Sequence, residues 1–105
     1  MELRDKVVVV TGGASGIGSG LCRRFRKEGV RGLVIADLNG DSAAALATEL
    51  DGTGYSLDVR DEAAVAAMVA ETEAAFGQID LFCSNAGILN LDEGDYWATS
   101  SPNDV

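Results

Sequence analysis

The sequence predicts an α/β fold built on a doubly wound parallel sheet, and three observations carry that prediction. Apolar strand-like runs begin at Val7, Leu33, Tyr55 and Asp80, spaced 26, 22 and 25 residues apart, with a helical pattern filling each gap. That rhythm favours parallel strands joined by right-handed crossovers. The first run, Val7 to Val10, is four β-branched residues in succession, as in a strand covered on both faces. It leads directly into Thr11-Gly12-Gly13-Ala14-Ser15-Gly16-Ile17-Gly18, whose glycines let the chain turn sharply with no Cβ in the way.

The elements follow in order. A first helix, roughly Gly16 to Glu28, sets Ile17, Leu21 and Phe25 on one face and stops at Gly29. Arg23, Arg24, Arg26 and Lys27 fall in its last turns, where cations complement the helix dipole. Strand two, Leu33 to Ala36, ends in Asp37. A second helix with Asp41 as its N-cap buries Ala43, Leu46, Ala47 and Leu50 before Gly52 breaks it. Strand three, Tyr55 to Leu57, ends in Asp58-Val59. The third helix has the clearest period, with Val65, Met68, Val69, Thr72 and Phe76 in one stripe, Asp61 as cap and Gly77 as stop. Strand four is Asp80 to Ser84.

By analogy with doubly wound folds the strand order is 3-2-1-4, which sets a switch point between strands one and four above the glycine turn, where ligands bind. Residues 1–88 thus form one βαβαβαβ unit. Leu89 to Ser101 is unpatterned and reads as a loop, and Ser101-Pro102-Asn103-Asp104 reads as the opening of a helix that is not completed. A sheet truncated after its fourth strand is expected to leave an open apolar edge that includes Leu81 and Phe82.

Composition excludes several classes. At 105 residues the chain supports one domain at most. Seventeen acidic against eight basic residues give a net charge of −9, with no Lys or Arg after Arg60, so neither nucleic acid nor an anionic membrane is an expected partner. The longest apolar run, Ala63 to Ala70, is too short to cross a bilayer, and no secretory h-region is present. A soluble, cytoplasmic protein is expected. With no histidine and no C-x-x-C around Cys22 or Cys83, neither a zinc site nor a His-based triad is expected, only two reduced, buried thiols. Asp92, Glu93 and Asp95 read as a solvated loop rather than a metal site.

A strand, tight turn and helix start aim unpaired backbone N–H groups and a positive dipole end at one spot, a seat for a pyrophosphate. The G-x-G-x-x-G spacing fails because Leu21 stands where the third glycine is needed, and a P-loop fails because Ser19 occupies the lysine position. The spacing present is T-G-x-x-x-G-x-G. Asp37 follows Gly18 by 19 residues, where an acid can accept from both hydroxyls of a ribose. A strand-end aspartate capping the next turn is the plain alternative. At Asp58-Val59 a carboxylate can accept from an exocyclic amine while the valine packs on a ring, and a generic loop aspartate is the alternative. After strand four, Asn85-Ala86-Gly87 offers small residues that let a ligand approach the backbone, or simply a turn.

Taken in that order, these motifs resemble the short-chain dehydrogenase/reductase family over about residues 5 to 88. The resemblance rests on Thr11, Gly12, Gly16 and Gly18, with Ser15 and Ile17 in the same loop, then Asp37 with Leu38, Asp58-Val59 and Asn85-Ala86-Gly87. One departure is Ser84, where the family usually carries a second asparagine. The resemblance implies a Rossmann-like fold and an NAD(P)-dependent oxidoreductase that moves hydride between nicotinamide and a small alcohol or carbonyl compound. It implies NAD rather than NADP, because Asp37 repels a 2′-phosphate and neither Ser15 nor Leu38 is basic. The family's catalytic Tyr-x-x-x-Lys is absent: Tyr55 is followed by Val59, Tyr96 by Ser100, and the lysines are Lys6 and Lys27. No catalytic residue is assigned, the chain reads as the cofactor-binding part of a longer enzyme, and homo-oligomerisation is implied only for the complete enzyme. Tyr96 and Trp97 read as loop packing, with a substrate mouth as the alternative. A truncated, non-catalytic dinucleotide-binding or interaction module is the competing reading; a methyltransferase is a weaker one.

Overall fold

The computed structural model describes residues 2–84 and 87–89. The order of elements is β1 (Val7–Thr11), α1 (Gly16–Lys27), β2 (Gly32–Asp37), α2 (Gly40–Leu50), β3 (Thr53–Ser56), α3 (Glu62–Phe76), β4 (Leu81–Ser84) and β5 (Gly87–Leu89). The sheet order is β3-β2-β1-β4-β5. The first four strands are parallel, in the 3-2-1-4 order that the sequence predicts.

Every residue of β1 is buried because the strand is central and both sheet faces are covered. Side-chain alternation splits its valines between two cores. Val8 and Val10 join Leu33, Ile35, Cys22, Phe25, Ala43 and Leu46 on the face of α1 and α2. Val7 and Val9 join Val34, Ala36, Leu57, Met68, Ile79 and Phe82 on the face of α3. Removing from water a valine at 0% exposure, as at Val7, Val8 and Val9, contributes roughly 1.5–3 kcal/mol apiece. Cys22 and Cys83 are free and buried in the first of these cores.

Several boundaries differ from the sequence reading. The N-cap of α2 is Asn39, whose side chain accepts from the Ser42 N–H at 3.1 Å, and Asp41 lies inside the first turn. The earlier start arises because the Asn39 N–H donates to Asp37 Oδ1 at 2.9 Å, which fixes the chain one step sooner. β3 begins at Thr53 rather than Tyr55, since Gly54 is a strand residue, and Leu57 follows the strand rather than ending it. A Cβ on Gly54 would stand 3.0 Å from the Ala43 carbonyl oxygen, so α2 lies directly on the strand there. Ile17 leaves the buried face of α1, which is formed by Gly18, Cys22 and Phe25. β4 starts at Leu81, one residue after Asp80, whose carboxylate accepts from the Val7 N–H at 2.8 Å.

The open edge expected at strand four is instead paired: β5 runs antiparallel to β4 along Phe82↔Leu89, Cys83↔Ile88 and Ser84↔Gly87. Leu89 is therefore a strand residue, not the first residue of a loop. The third helix conforms to expectation, with the Asp61 side chain accepting from the Ala64 N–H at 3.1 Å and Gly77 ending it at φ 96°. No helix among the described residues is long and apolar enough to cross a membrane. Asn85, Ala86, the acidic stretch Asp92, Glu93 and Asp95, the aromatic pair Tyr96 and Trp97, and the helix start at Ser101 lie outside the described residues.

Candidate functional site

Parallel strands deliver all their outgoing loops to one edge of the sheet, and a cleft of about 350 Å³ opens there at the switch point between β1 and β4. It is lined by Thr11, Gly12 and Ser15 from the first loop, Asp37 and Leu38 after β2, Leu57, Asp58 and Val59 after β3, and Ser84 at the end of β4. Pockets that hold small ligands begin at about this size.

The first loop folds back over the sheet because the N–H groups of Gly12 and Gly13 both donate to the Ala36 carbonyl, at 2.7 and 3.2 Å. Gly12 holds φ 68°, a conformation that a side chain disfavours. Gly18 is fixed by space rather than dihedral angle: a Cβ there would stand 2.1 Å from the Gly12 carbonyl oxygen. The first turn of α1 thus rests directly on the loop. Above Gly16 (φ 23°) the reverse holds, and a Cβ there would meet nothing within 4 Å.

Ser15 is the N-cap of α1, yet its side chain makes no cap bond and no acid lies in the first turn. Its hydroxyl is turned toward the Gly12 carbonyl at 3.5 Å. The start of α1 therefore keeps its positive dipole end uncompensated by any side chain of its own.

Asp37, at the carboxyl end of β2, accepts from the Ala14 N–H through Oδ2 at 3.0 Å and from the Asn39 N–H through Oδ1. The carboxylate thereby ties the glycine loop to the entry of α2. Asp58 is held by Arg60 in a fork, and these hydrogen bonds keep its carboxyl well below the usual carboxylate range, at about 2. Thr11 is buried, its hydroxyl donating to the Cys83 carbonyl at 3.5 Å across the switch point.

The described residues include exposed large hydrophobics at Ile17 (80%), Leu38 (70%) and Val59 (54%). Leu38 and Val59 line the cleft, and Ile17 stands in the first turn of the helix that opens beside it. Of the residues the sequence singles out, Thr11, Gly12, Ser15, Asp37, Leu38, Asp58 and Val59 line the cleft. Gly16, Ile17 and Gly18 form the helix start rather than the lining. Gly87 opens β5. Leu57 and Ser84 also line the cleft, although no sequence motif marks them as site residues. Both occupy the last or next position of an outgoing strand, which is the signal that finds them.

The family model for short chain dehydrogenases matches residues 6–101. A D-threitol dehydrogenase from Mycolicibacterium smegmatis is 39% identical over 95 residues, covering 86% of this chain and 36% of its own length. A 2-dehydro-3-deoxy-L-rhamnonate dehydrogenase (NAD(+)) from Sphingomonas sp. is 44% identical over 84 residues, covering 79% and 33%. Among solved structures, the 3-ketoacyl-(acyl-carrier-protein) reductase from Brucella melitensis complexed with NADH superposes with a TM-score of 0.71 at 34% identity, covering 76% of this chain and 34% of that one. The chain belongs to the short-chain dehydrogenase/reductase family of oxidoreductases. It spans about a third of the length of the curated relatives it matches.

Proposed function

We propose that this chain is the cofactor-binding part of an NAD-dependent short-chain dehydrogenase acting on a small alcohol or carbonyl compound. One observation carries the reading: an uncapped helix start and a strand-end carboxylate share a single cleft. A pyrophosphate fits the first, held by backbone N–H groups at Gly16, Ile17 and Gly18 and by the dipole, with Thr11, Gly12 and Ser15 shaping the turn. The Asp37 carboxylate suits ribose hydroxyls; two of its roughly four acceptor positions serve Ala14 and Asn39, which leaves the others. Leu38 and Val59 offer apolar cover for the adenine ring, and Asp58 an acceptor for its amine. Asn85, Ala86 and Gly87 are proposed for the nicotinamide side, where small residues permit close approach.

Bound NAD supplies the hydride acceptor. The protein's own part, in the residues of this chain, is to bind and orient. Since no Tyr-x-x-x-Lys occurs in the sequence, this chain alone is expected to bind cofactor without turning over substrate. NAD is preferred because the Asp37 charge opposes a 2′-phosphate, with no basic side chain at Ser15 or Leu38 to offset it. The complete enzyme is proposed to be a cytoplasmic homo-oligomer, by the same resemblance.

Fluorescence titration of the chain with NADH and NADPH tests this reading. NADH is expected to bind at least roughly tenfold more tightly, and Asp37→Ala to weaken NADH roughly tenfold and erase the preference, as loss of hydrogen bonds to a charged group predicts. Equal affinity for both nucleotides would overturn the NAD assignment. Binding of neither would overturn the site.

A further inference from the structure

We infer that Arg60 is a positioning residue, which locks the Asp58 carboxylate so that the cleft tells adenine from a base lacking the exocyclic amine. The inference rests on the proposed cofactor reading and adds to it a residue that does not line the cleft.

Three hydrogen bonds run from Arg60 to one carboxylate. The backbone N–H and Nε of Arg60 donate to Asp58 Oδ1 at 2.9 and 3.1 Å, and a terminal guanidinium nitrogen donates to Oδ2 at 2.8 Å. A planar fork on a planar carboxylate fixes rotation about the last side-chain bond, which a single contact does not. By count of lone pairs, Oδ1 is filled and Oδ2 retains one acceptor position.

The pair is not needed to build the turn. The Asp58 carbonyl already accepts from the Asp61 N–H at 2.9 Å, and α3 is already capped by the Asp61 side chain. As an exposed ion pair, with 84% of the Arg60 side chain accessible, it adds little to stability. Its remaining consequence is the orientation of a carboxylate that lines the cleft. Arg60 is also the one Lys or Arg among the described strand-to-helix connections at this edge, so no other cation there can take its place.

The test is a titration of the full chain with NADH and with its deamino analogue, in which hypoxanthine replaces adenine. Wild-type protein is expected to favour NADH by roughly tenfold, since the analogue presents a carbonyl where the carboxylate seeks a donor. Arg60→Ala is expected to bring that ratio near one, mainly by weakening NADH, with Arg60→Lys intermediate. Asp58→Asn is expected to do the same, and adding Arg60→Ala to it to change nothing further. Thermal unfolding of each variant verifies that it folds. A ratio unchanged in a folded Arg60→Ala variant would overturn the inference while leaving the cofactor site standing. Failure of wild-type protein to bind NADH would overturn both.

Discussion

The described helices α1, α2 and α3 all start at the carboxyl edge of the same sheet, and they start in two different ways. Two are closed. Asn39 and Asp61 each accept a backbone N–H from the first turn, and Asp41 and Glu62 set a negative charge against the dipole. Each device contributes roughly 0.5–2 kcal/mol. The third, α1, has neither device and adds Gly16, Gly18 and Gly20, each costing about 1 kcal/mol of helix propensity relative to alanine. Its stabilising charges lie at the other end, where Arg24, Arg26 and Lys27 occupy the last turn and Arg26 bonds the carbonyls of Val30, Leu50 and Asp51. The contrast teaches that α1 is held by its base and its packing, while its tip is left for something else to satisfy.

Gly18→Val should break the contrast most severely. With a Cβ 2.1 Å from the Gly12 oxygen, loop and helix must separate, at a cost of roughly 3 kcal/mol or more. Urea unfolding and NADH titration should show both stability and binding lost.

Alkaline pH probes the packing of the same helix. Burial, and then the neighbouring Cys83 thiol, push the Cys22 thiol up to about 12. Because the folded value is raised, the neutral thiol's contribution is complete below pH about 9 and is lost as pH rises toward about 12. The expected slope is up to roughly 1.4 kcal/mol per pH unit. Cys22→Ala should flatten the stability curve over that window, and an unchanged curve would mean that Cys22 is not sealed beneath the loop.

The smallest effects sharpen the comparison directly. Asp61→Ala and Asn39→Ala should each lower stability by about 1 kcal/mol, whereas Ser15→Ala should cost less than roughly 0.5 kcal/mol. A Ser15→Ala loss equal to the other two in urea denaturation would mean that α1 is capped after all.

Much of this was legible in the sequence because it follows from short-range pattern. The valine run dictated a central strand, the period of α3 dictated its buried stripe, and Asp61 announced its own cap. What escaped depended on local geometry and packing that a residue pattern does not carry. Asn39 outcompetes Asp41 because Asp37 anchors it, a choice invisible to a reading that weighs two cap-forming residues locally. Gly52 and Gly54 look like breakers, yet Gly54 is a strand residue paired with Ile35, and its missing side chain is what lets α2 cross it so closely. Ile17 has the helical spacing of Leu21 and Phe25, but its side chain stands 80% exposed, so periodicity had no core to report. β5 is three residues long, too short to show a period. In the site, the residue types that meet were readable in order along the chain, whereas the Arg60 fork on Asp58 required the geometry of a turn.

The contact between Gly18 and Gly12 has one more consequence. Because backbone rests on backbone, and two N–H groups pin the same loop to Ala36, the proposed pyrophosphate seat at the start of α1 is shaped mainly by main chain rather than by rotatable side chains. A ligand docked at that proposed seat would give up its own freedom but little side-chain freedom of the protein, so more of each hydrogen bond would survive as affinity.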